Sequence, residues 1–441
     1  MKIITLLAVF TAVILTDKVS RADSAGKVIC YYDSSSFVRE GLGKLVLNDL
    51  EPALSFCTHL VYGYSGLNAE TNKLISLKES LDLDQGKGHY RVITNLKRKY
   101  PQLKVLLSIG GNVDLETPEK YMTMLESSGG RIAFINSAHA MLKTYDFDGL
   151  DLAWQFPPNK PKKIRGAVKS VFHKLKKIFG GGNTPVDEKA DEHREEFTAL
   201  VRELKNSFRH EGFLLSLTVL PNVNSTMFYD IPAIINYLDF VNLAAFDFQT
   251  PDRNPKEADY PAPIYELNER NPNSNINAQV QLWLSNRCPA SKINVGIPTF
   301  GRVWKMTEDS GITGVPPIPE TENEVAPGPQ TGISGLYSWP ETCAKLLNPN
   351  NAHLKGEDAP FRKVGDPTKR FGTYAYRVPD ESGEHGLWVG YEDPDTAGNK
   401  AAYVRAKGLG GIAIFDLSYD DFRGTCSGDK FPILRAAKYR L

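Results

Sequence analysis

The sequence predicts an α/β protein built on a (β/α)8 TIM barrel, with a small α+β domain inserted between barrel strands 7 and 8. Eight short, β-rich apolar segments recur along the chain, and most are separated by segments with the periodicity of a helix. The glycine-rich segments lack the spacing of a nucleotide-binding loop, which the alternative of a doubly wound open sheet would need. These observations favour a closed barrel, which typically takes roughly 250 residues.

The overall composition is that of an ordinary globular protein. Hydrophobic residues make up 41% of the 441 residues, and 52 basic residues balance 52 acidic ones. A disordered chain would have lower hydrophobicity and a larger net charge. The zero net charge also gives no global attraction to nucleic acid or to anionic membranes, so neither nucleic acid nor membrane insertion is predicted.

The predicted barrel strands are short apolar and β-branched runs at 27–33, 58–64, 103–109, 147–153, 213–219, 239–246, 292–298 and 410–417. The clearest helix lies between the fourth and fifth of them. Its first turn is acidic, which suits the helix dipole. Its apolar residues then recur on one face, at Phe197, Leu200, Val201, Leu204 and Phe208.

Two intervals are too long for simple connections between barrel elements. Residues 304–395, rich in Pro, Gly and Tyr, are predicted to form the α+β insertion, so that the barrel comprises 23–303 and 396–441. The other interval is a basic amphipathic insertion at about 158–189, placed at the C-terminal rim of the barrel. It is either a solvated helix that rests its apolar side on the barrel or a binding site for a sulfated glycan or an acidic receptor surface. Its basic residues include Lys160, Lys162, Lys163, Arg165, Lys169, Lys174, Lys176 and Lys177.

Residues 1–22 are predicted to be a signal peptide. Lys2 precedes an apolar run over residues 3–15, which is too short to span a bilayer. Ser20 and Ala22 then have the spacing of small residues that signal peptidase prefers. Since no later segment is long and apolar enough to anchor the chain, we expect a secreted, extracellular protein.

Secretion makes the cysteines candidates for disulfides. Cys30 lies in the first predicted strand and Cys57 just before the second, which would make them neighbours in one sheet. Cys343 and Cys426 would then be the second pair and leave Cys288 free, although the sequence alone does not fix the connectivity. The cysteine and histidine spacings match no zinc motif, so no metal and no other cofactor are predicted.

An acceptor sequence for N-glycosylation occurs at Asn224-Ser225-Thr226. Pro221 and Asn222 precede it, and residues of these types are typical of loops. In a secreted chain, Asn224 is therefore predicted to carry a glycan.

The end of the fourth predicted strand carries the strongest chemical signal, because active sites of barrels lie at the C-terminal ends of the strands. The segment reads Asp148-Gly149-Leu150-Asp151-Leu152-Ala153-Trp154-Gln155. Alternation places Asp151, Ala153 and Gln155 on one face, pointing into the barrel mouth. The segment resembles the DxxDxDxE motif of glycoside hydrolase family 18, the chitinases.

Further motifs extend this resemblance over nearly the whole mature chain. Ser108-Ile109-Gly110-Gly111 resembles the SxGG motif of the third strand in that family. Residues 27–43 and 415–441, together with the basic insertion, look like the imaginal disc growth factors, the secreted insect branch of the family. The resemblance implies a monomer that promotes cell growth and development as an extracellular signal through a cell-surface receptor. The other matching segments are Cys57-Thr58-His59, Asp247, Gly296-Ile297-Pro298 and Gly301-Arg302.

The residues that carry catalysis in this family differ here. In active members, the last Glu of the motif protonates the glycosidic oxygen and the preceding Asp orients the N-acetyl group of the substrate. Those positions hold Gln155 and Ala153. A carboxamide has no proton to donate near neutral pH, and loss of one general acid typically costs about 10²–10⁴ in rate. Asp148 and Asp151 match the motif but only support the Glu in the family, so we expect no catalysis.

Sugar binding by the degenerate site is a second hypothesis. It would make the chain a lectin for chitin or chito-oligosaccharides in the extracellular matrix or cuticle; the alternative is that the aromatic side chains simply fill the barrel mouth. Ser35, Asn112 and Phe415 stand where chitinases often carry Trp, and Phe246 and Phe300 replace Tyr. The resemblance implies a vestigial carbohydrate site made of Tyr31, Tyr64, Trp154, Asp247, Arg302 and Phe415.

Overall fold

The computed structural model describes residues 26–161, 186–379 and 385–441. The predicted signal peptide and most of the basic insertion therefore lie outside the described residues. The strands are β1 (Lys27–Asp33), β2 (His59–Leu67), β3 (Leu74–Ser76), β4 (Lys104–Gly110), β5 (Gly149–Ala153), β6 (Leu214–Val219), β7 (Phe240–Leu243), β8 (Glu257–Ala258), β9 (Ile293–Pro298), β10 (Phe300–Met306), β11 (Ile318–Pro319), β12 (Leu336–Ser338), β13 (Arg362–Gly365), β14 (Thr373–Arg377), β15 (Gly386–Tyr391) and β16 (Gly411–Phe415).

The α-helices of the described residues are α1 (Leu47–Leu54), α2 (Glu79–Asp82), α3 (His89–Thr94), α4 (Lys120–Leu125), α5 (Ser128–Tyr145), α6 (Ala190–Phe208), α7 (Ser225–Phe228), α8 (Ile231–Ile234), α9 (Ile276–Ser285), α10 (Trp339–Lys345), α11 (Pro394–Ala406) and α12 (Pro432–Arg440). Short 3₁₀ helices lie at Ser34–Phe37, Gly41–Gly43, Asn95–Arg98, Ala290–Lys292, Glu308–Ser310 and Gly356–Asp358.

A closed ring of parallel strands forms the barrel. The order is β1-β16-β9-β7-β6-β5-β4-β2, and β1 also pairs with β2, which closes the ring. Each of these strands overlaps one of the eight predicted segments, so the predicted fold class is confirmed. Because the strands all run in one direction, their carboxyl ends meet at one face, and the segment that follows β5 lies at that face.

Helix α6 shows why an amphipathic sequence covers this barrel. Asp191 and Glu192 lie in its first turn, where negative charge offsets the helix dipole. Its predicted apolar face is fully buried, which confirms the expectation from the sequence; the residues are Phe197, Leu200, Val201, Leu204 and Phe208. Within the described ranges, no helix combines the length and the apolar character that crossing a membrane requires.

A second sheet lies between β9 and β16 in the chain. It is antiparallel, with the order β12-β10-β15-β14-β13. Trp304, Tyr374 and Trp388 belong to a separate apolar core on this sheet. Together with helix α10 it forms the predicted α+β insertion, whereas the limits at 304 and 395 remain predictions, since β10 begins at Phe300 and α11 at Pro394.

Two disulfides secure the start of the barrel and its insertion. Cys30–Cys57 joins β1 to the residues that precede β2. Cys343–Cys426 joins α10 of the insertion to the segment after β16 and so links the insertion covalently to the barrel. These are the two pairs considered from the sequence, and Cys288 is buried and outside both.

Candidate functional site

Strand β5 and the two residues after it place Asp151, Ala153 and Gln155 toward the barrel interior. All three are buried. In the register of the sheet, Asp151 lies level with Ser108 of β4 and with Ser216 of β6. The alternation of the strand therefore places the degenerate motif where the sequence predicts it, one layer below the mouth for Asp151 and at the mouth for Gln155.

Asp151 is the centre of a buried hydroxyl network. Its Oδ1 accepts hydrogen bonds from Ser216 Oγ (2.7 Å) and Thr218 Oγ1 (2.9 Å), and its Oδ2 accepts from Ser108 Oγ (2.8 Å) and Tyr31 Oη (3.3 Å). Burial raises the pKa of the Asp151 carboxyl, and the hydroxyl donors oppose that shift. The side chain is fully buried, and its hydrogen-bond donors are side chains of the barrel interior.

Gln155 pairs with the main chain of Asp114, in the loop after β4. Its Nε2 donates to the Asp114 carbonyl oxygen (2.9 Å), and its Oε1 accepts from the Asp114 amide (3.2 Å). Both ends of the carboxamide are thus engaged, and neither can supply a proton to a leaving group near neutral pH. Two hydrogen bonds therefore join Gln155, just after β5, to the loop after β4.

The SxGG segment explains how this loop comes so close to β5. Gly110 and Gly111 have φ of +94° and +67°, in the left-handed region that favours glycine. A Cβ on Gly110 would lie 2.2 Å from the carbonyl oxygen of Ala153, and one on Gly111 would lie 2.3 Å from the ring of Tyr64. The glycines are therefore required by close approach on two sides, which brings Asp114 within reach of Gln155.

Asp148, the first residue of the motif, lies at the opposite end of β5. Its Oδ2 accepts a hydrogen bond from the Val105 amide (2.8 Å), and its carboxylate pairs with Lys97 (3.4 Å) and Lys104 (3.5 Å). The structure therefore does not bring Asp148 together with Gln155. It holds the amino end of β5 against β4 and takes no part in the mouth.

Trp154 corrects an expectation from the sequence, which counted it among the carbohydrate-binding residues. It is fully buried and packs edge-on against Tyr121 (5.0 Å between ring centroids) and Phe134 (5.8 Å), and at an angle against Phe197 (5.9 Å). These partners lie on the helices around the barrel. Because Ala153 and Gln155 point inward, alternation turns Trp154 outward, and it offers no surface to a sugar.

Aromatic rings line the opposite side of the mouth. Tyr31 and Phe415 stack with centroids 4.0 Å apart, and Phe415 meets Phe246 edge-on at 5.2 Å. Phe246 contacts Phe300 at 5.9 Å, and Phe300 contacts Tyr419 at 5.9 Å. Tyr31 and Phe415 are buried in this series, whereas Phe300 and Tyr419 are half-buried.

Tyr64 lies between the aromatic series and the loop after β4. It is half-buried, and burial, together with the negative charges of Asp33 and Asp416, raises the pKa of its phenol well above the usual value. Burial likewise raises the pKa of Tyr31. Both phenols are therefore neutral hydrogen-bonding groups at physiological pH.

Asp247 and Arg302 form a two-pronged ion pair beside these rings. Arg302 Nε donates to Asp247 Oδ1 (2.8 Å) and Nη2 donates to Oδ2 (2.6 Å). The guanidinium also lies 4.9 Å from the ring centroid of Phe300. Each charge is compensated within the protein, so the pair offers a ligand polar edges and no net charge.

Sequence reasoning missed a polar cluster at the ends of β1 and β16. Arg39 pairs with Asp33 (3.5 Å) and donates to Ser418 Oγ (3.0 Å) and Tyr419 Oη (3.2 Å). Burial and the charge of Asp33 raise the pKa of Asp416 to about 6. This cluster could have been expected from the predicted closure of the barrel, because closure makes the first and last strands neighbours.

The predicted glycosylation residue, Asn224, begins helix α7. Its Oδ1 accepts hydrogen bonds from the Thr226 amide (3.1 Å) and Oγ1 (2.7 Å). The side chain is half-buried, and its glycosylation remains a prediction. In the described part of the chain, no three histidine, cysteine or acidic side chains are grouped so that they would hold a metal ion.

The chain is similar to known proteins over almost its whole length. The family model of the glycosyl hydrolases family 18 matches residues 27–420. Chitinase-like protein Idgf4 of Glossina morsitans morsitans is 64% identical over 441 residues, which cover 100% of this chain and 99% of that protein. Imaginal disk growth factor 6 of Drosophila melanogaster is 60% identical over 421 residues, which cover 94% and 93%. Among solved structures, human YKL-39, a pseudo-chitinase with retained chitooligosaccharide binding properties, is 26% identical with a TM-score of 0.72, covering 94% of this chain and 99% of that one.

Proposed function

The chain belongs to glycosyl hydrolase family 18, and we propose that it is a secreted, catalytically inactive member that acts outside the cell as a growth-promoting signal. Its partner would be a cell-surface receptor, which the monomer engages through its surface loops. Relatives named chitinase-like proteins support its place in the chitinase-like branch of the family. The name of the Drosophila growth factor supports the signalling role.

One observation carries the proposed inactivity, namely the hydrogen bonding of Gln155. The carboxamide donates to one main-chain group and accepts from another, and the neighbouring Ala153 has no carboxylate to orient an acetamide. Asp151 does not replace the missing acid, because it is fully buried among hydroxyl donors. The mouth therefore lacks a proton donor at the position where cleavage would need one.

The disulfides support the proposed secretion. Bonds such as Cys30–Cys57 and Cys343–Cys426 form and persist in oxidising compartments. The apolar run at residues 3–15 supplies an export signal. A glycan on Asn224 would be a further consequence of this route, and treatment of the secreted protein with an N-glycosidase would reveal it as a loss of mass that Asn224→Gln removes.

The signalling proposal is tested by adding the purified, secreted chain to cultured insect cells. We expect cell number to rise with dose. Chito-oligosaccharides incubated with the same preparation should keep their length by mass spectrometry. No effect on growth at any dose, with intact folding, would refute the signalling role.

A second candidate function is retained binding of chito-oligosaccharides. The observation in its favour is the half-buried aromatic rim of Tyr64, Phe300 and Tyr419 beside the Asp247–Arg302 pair, and YKL-39 supports it as a pseudo-chitinase that keeps such binding. Calorimetric titration with chito-oligosaccharides tests it. Heat that saturates, and that Phe300→Ala weakens, would support a lectin; no heat at millimolar ligand would exclude one.

A further inference from the structure

We infer that Gln155 is a positioning residue whose carboxamide clamps the main chain of Asp114 and so fixes the loop at residues 111–119 beside the barrel mouth. This role goes beyond the proposed function, since it concerns the geometry of the loop and applies with or without a ligand. It assigns a present task to the position that holds the general acid in active members of the family.

The first step is the match between the two hydrogen-bonding groups. The peptide of Asp114 offers an N–H donor and a C=O acceptor, and Gln155 offers one acceptor and one donor in return. An ionised Glu has only acceptors, so it would face the Asp114 carbonyl oxygen without a proton between them. A protonated Glu would restore the complementary pattern. The site therefore selects a neutral side chain with both a donor and an acceptor.

The second step is that Asp114 is held independently through its side chain. Its Oδ1 accepts from Lys120 Nζ (2.6 Å), and its Oδ2 accepts from Tyr121 Oη (2.8 Å) and from the Leu67 amide (2.9 Å). The Lys120–Asp114 pair is almost fully buried. Loss of the Gln155 clamp should therefore free the main chain of the loop while the carboxylate stays anchored, so the fold survives the change.

The third step is what the loop presents. Val113 and Leu115, on either side of Asp114, are 47% and 63% exposed. The loop is entered through Gly110, Gly111 and Asn112, all with positive φ, and its first bond to β5 runs from the Gly111 amide to the Ala153 carbonyl oxygen (2.9 Å). Gln155, two residues after that strand, supplies two further bonds to the loop, so it determines how far the exposed tip stands from the mouth.

The test compares Gln155→Met, which keeps the size but not the amide, with Gln155→Glu. Hydrogen exchange of the peptide that covers residues 112–119 should be faster than wild type in Gln155→Met at every pH. In Gln155→Glu it should be faster at pH 8 and return toward the wild-type rate at pH 5, after correction for the intrinsic rate. The melting temperature of Gln155→Glu should fall by roughly 2–6 °C at pH 8, and the gap to wild type should narrow as pH falls, because protonation restores the missing donor.

Gln102→Glu is the matched control, since Gln102 is exposed and the change adds the same charge. It should leave the exchange of the loop as in wild type. The inference is overturned if Gln155→Met leaves the exchange of the loop unchanged. It is also overturned if the difference in loop exchange between Gln155→Glu and wild type does not vary with pH. If the variants fail to fold, the wild-type protein decides: a slowly exchanging Asp114 amide supports the clamp, and fast exchange of that amide refutes it. Neither readout depends on sugar binding or on growth activity, so either proposal can fail alone.

Discussion

The two halves of the barrel mouth are filled in different ways. Over β4, β5 and β6 lies a polar half, made of Asp114, Asp151 and Gln155, in which the functional groups are paired within the protein. Over β9, β16 and β1 lies an aromatic half, made of Phe300, Phe415 and Tyr31. The comparison shows that the polar groups of one half are engaged in hydrogen bonds within the protein, whereas half-buried ring surface remains in the other half.

The largest expected effect is a loss of stability when a buried ring of the aromatic half is removed. Phe415→Ala should remove the stacking partner of Tyr31 and leave a cavity, at a cost of about 3–5 kcal/mol in the free energy of unfolding. Phe415→Leu is the control that refills most of the volume and should cost clearly less. Denaturant unfolding measures both. A loss below about 1 kcal/mol for Phe415→Ala would mean that this half is loosely packed.

The second effect concerns the polar half. Asp151→Ala removes the acceptor shared by Ser108 and Ser216 and should cost about 1–3 kcal/mol in unfolding free energy. Asp151→Asn, which keeps an acceptor, should cost less. Equal losses for both variants would contradict the importance of the hydroxyl network.

The same carboxyl predicts a pH dependence. Burial raises the pKa of Asp151 in the folded protein, so the folded state holds this proton more tightly than the unfolded chain does. Its contribution to stability is complete below the unfolded pKa of about 4 and is lost as pH rises through the folded value. The stability of wild type relative to Asp151→Asn should therefore be greater at pH 4 than at pH 8, and the opposite trend in denaturant unfolding would contradict it.

A smaller effect lies at the Asp247–Arg302 pair. Arg302→Ala leaves the Asp247 carboxylate without its two donors, but both side chains keep some contact with solvent. We therefore expect a loss of about 1–2 kcal/mol rather than the full cost of a broken buried pair. Arg302→Lys should recover part of it, since one charge contact returns without the second prong. Equal thermal stability of wild type and Arg302→Ala would show that the pair is dispensable.

The smallest expected effect is on the affinity for sugar, at the junction of the polar and aromatic halves. Tyr64 is half-buried at the junction of the two halves, so Tyr64→Ala should remove one ring surface from any sugar that binds there. A loss of about 0.5–1.5 kcal/mol in affinity is expected by calorimetric titration with chito-oligosaccharides. Tyr439→Ala, at an exposed position on α12, is the control that should change nothing. Similar loss in both variants would place the sugar elsewhere.

The fold was predictable because its signals are local. The barrel strands follow from apolar runs, and helix α6 from the spacing of Phe197 and its apolar neighbours. The inward position of Ala153 and Gln155 followed from strand alternation. The same alternation turns Trp154 outward, and the structure shows its ring among the helices.

The rest of the site depends on contacts that cannot be predicted from the types of the residues. Asp114 binds Gln155 through its peptide, and a peptide group is present at every position, so the sequence carried no sign of the clamp. Arg39 reaches Ser418 and Tyr419 only because the ring of strands closes. Asp148 stands within seven residues of Gln155 in the sequence, yet β5 places the two at opposite ends of the barrel.

The most direct test of the central claim is the release of fluorophore from a chitobioside substrate by the purified full-length chain, measured from pH 4 to 8 beside an active family 18 chitinase. We expect wild type to stay at the rate of the protein-free blank. Gln155→Glu alone should stay far below the active enzyme, because Ala153 still cannot orient the acetamide. Turnover by wild type that Asp151→Ala abolishes would contradict a mouth without a working acid.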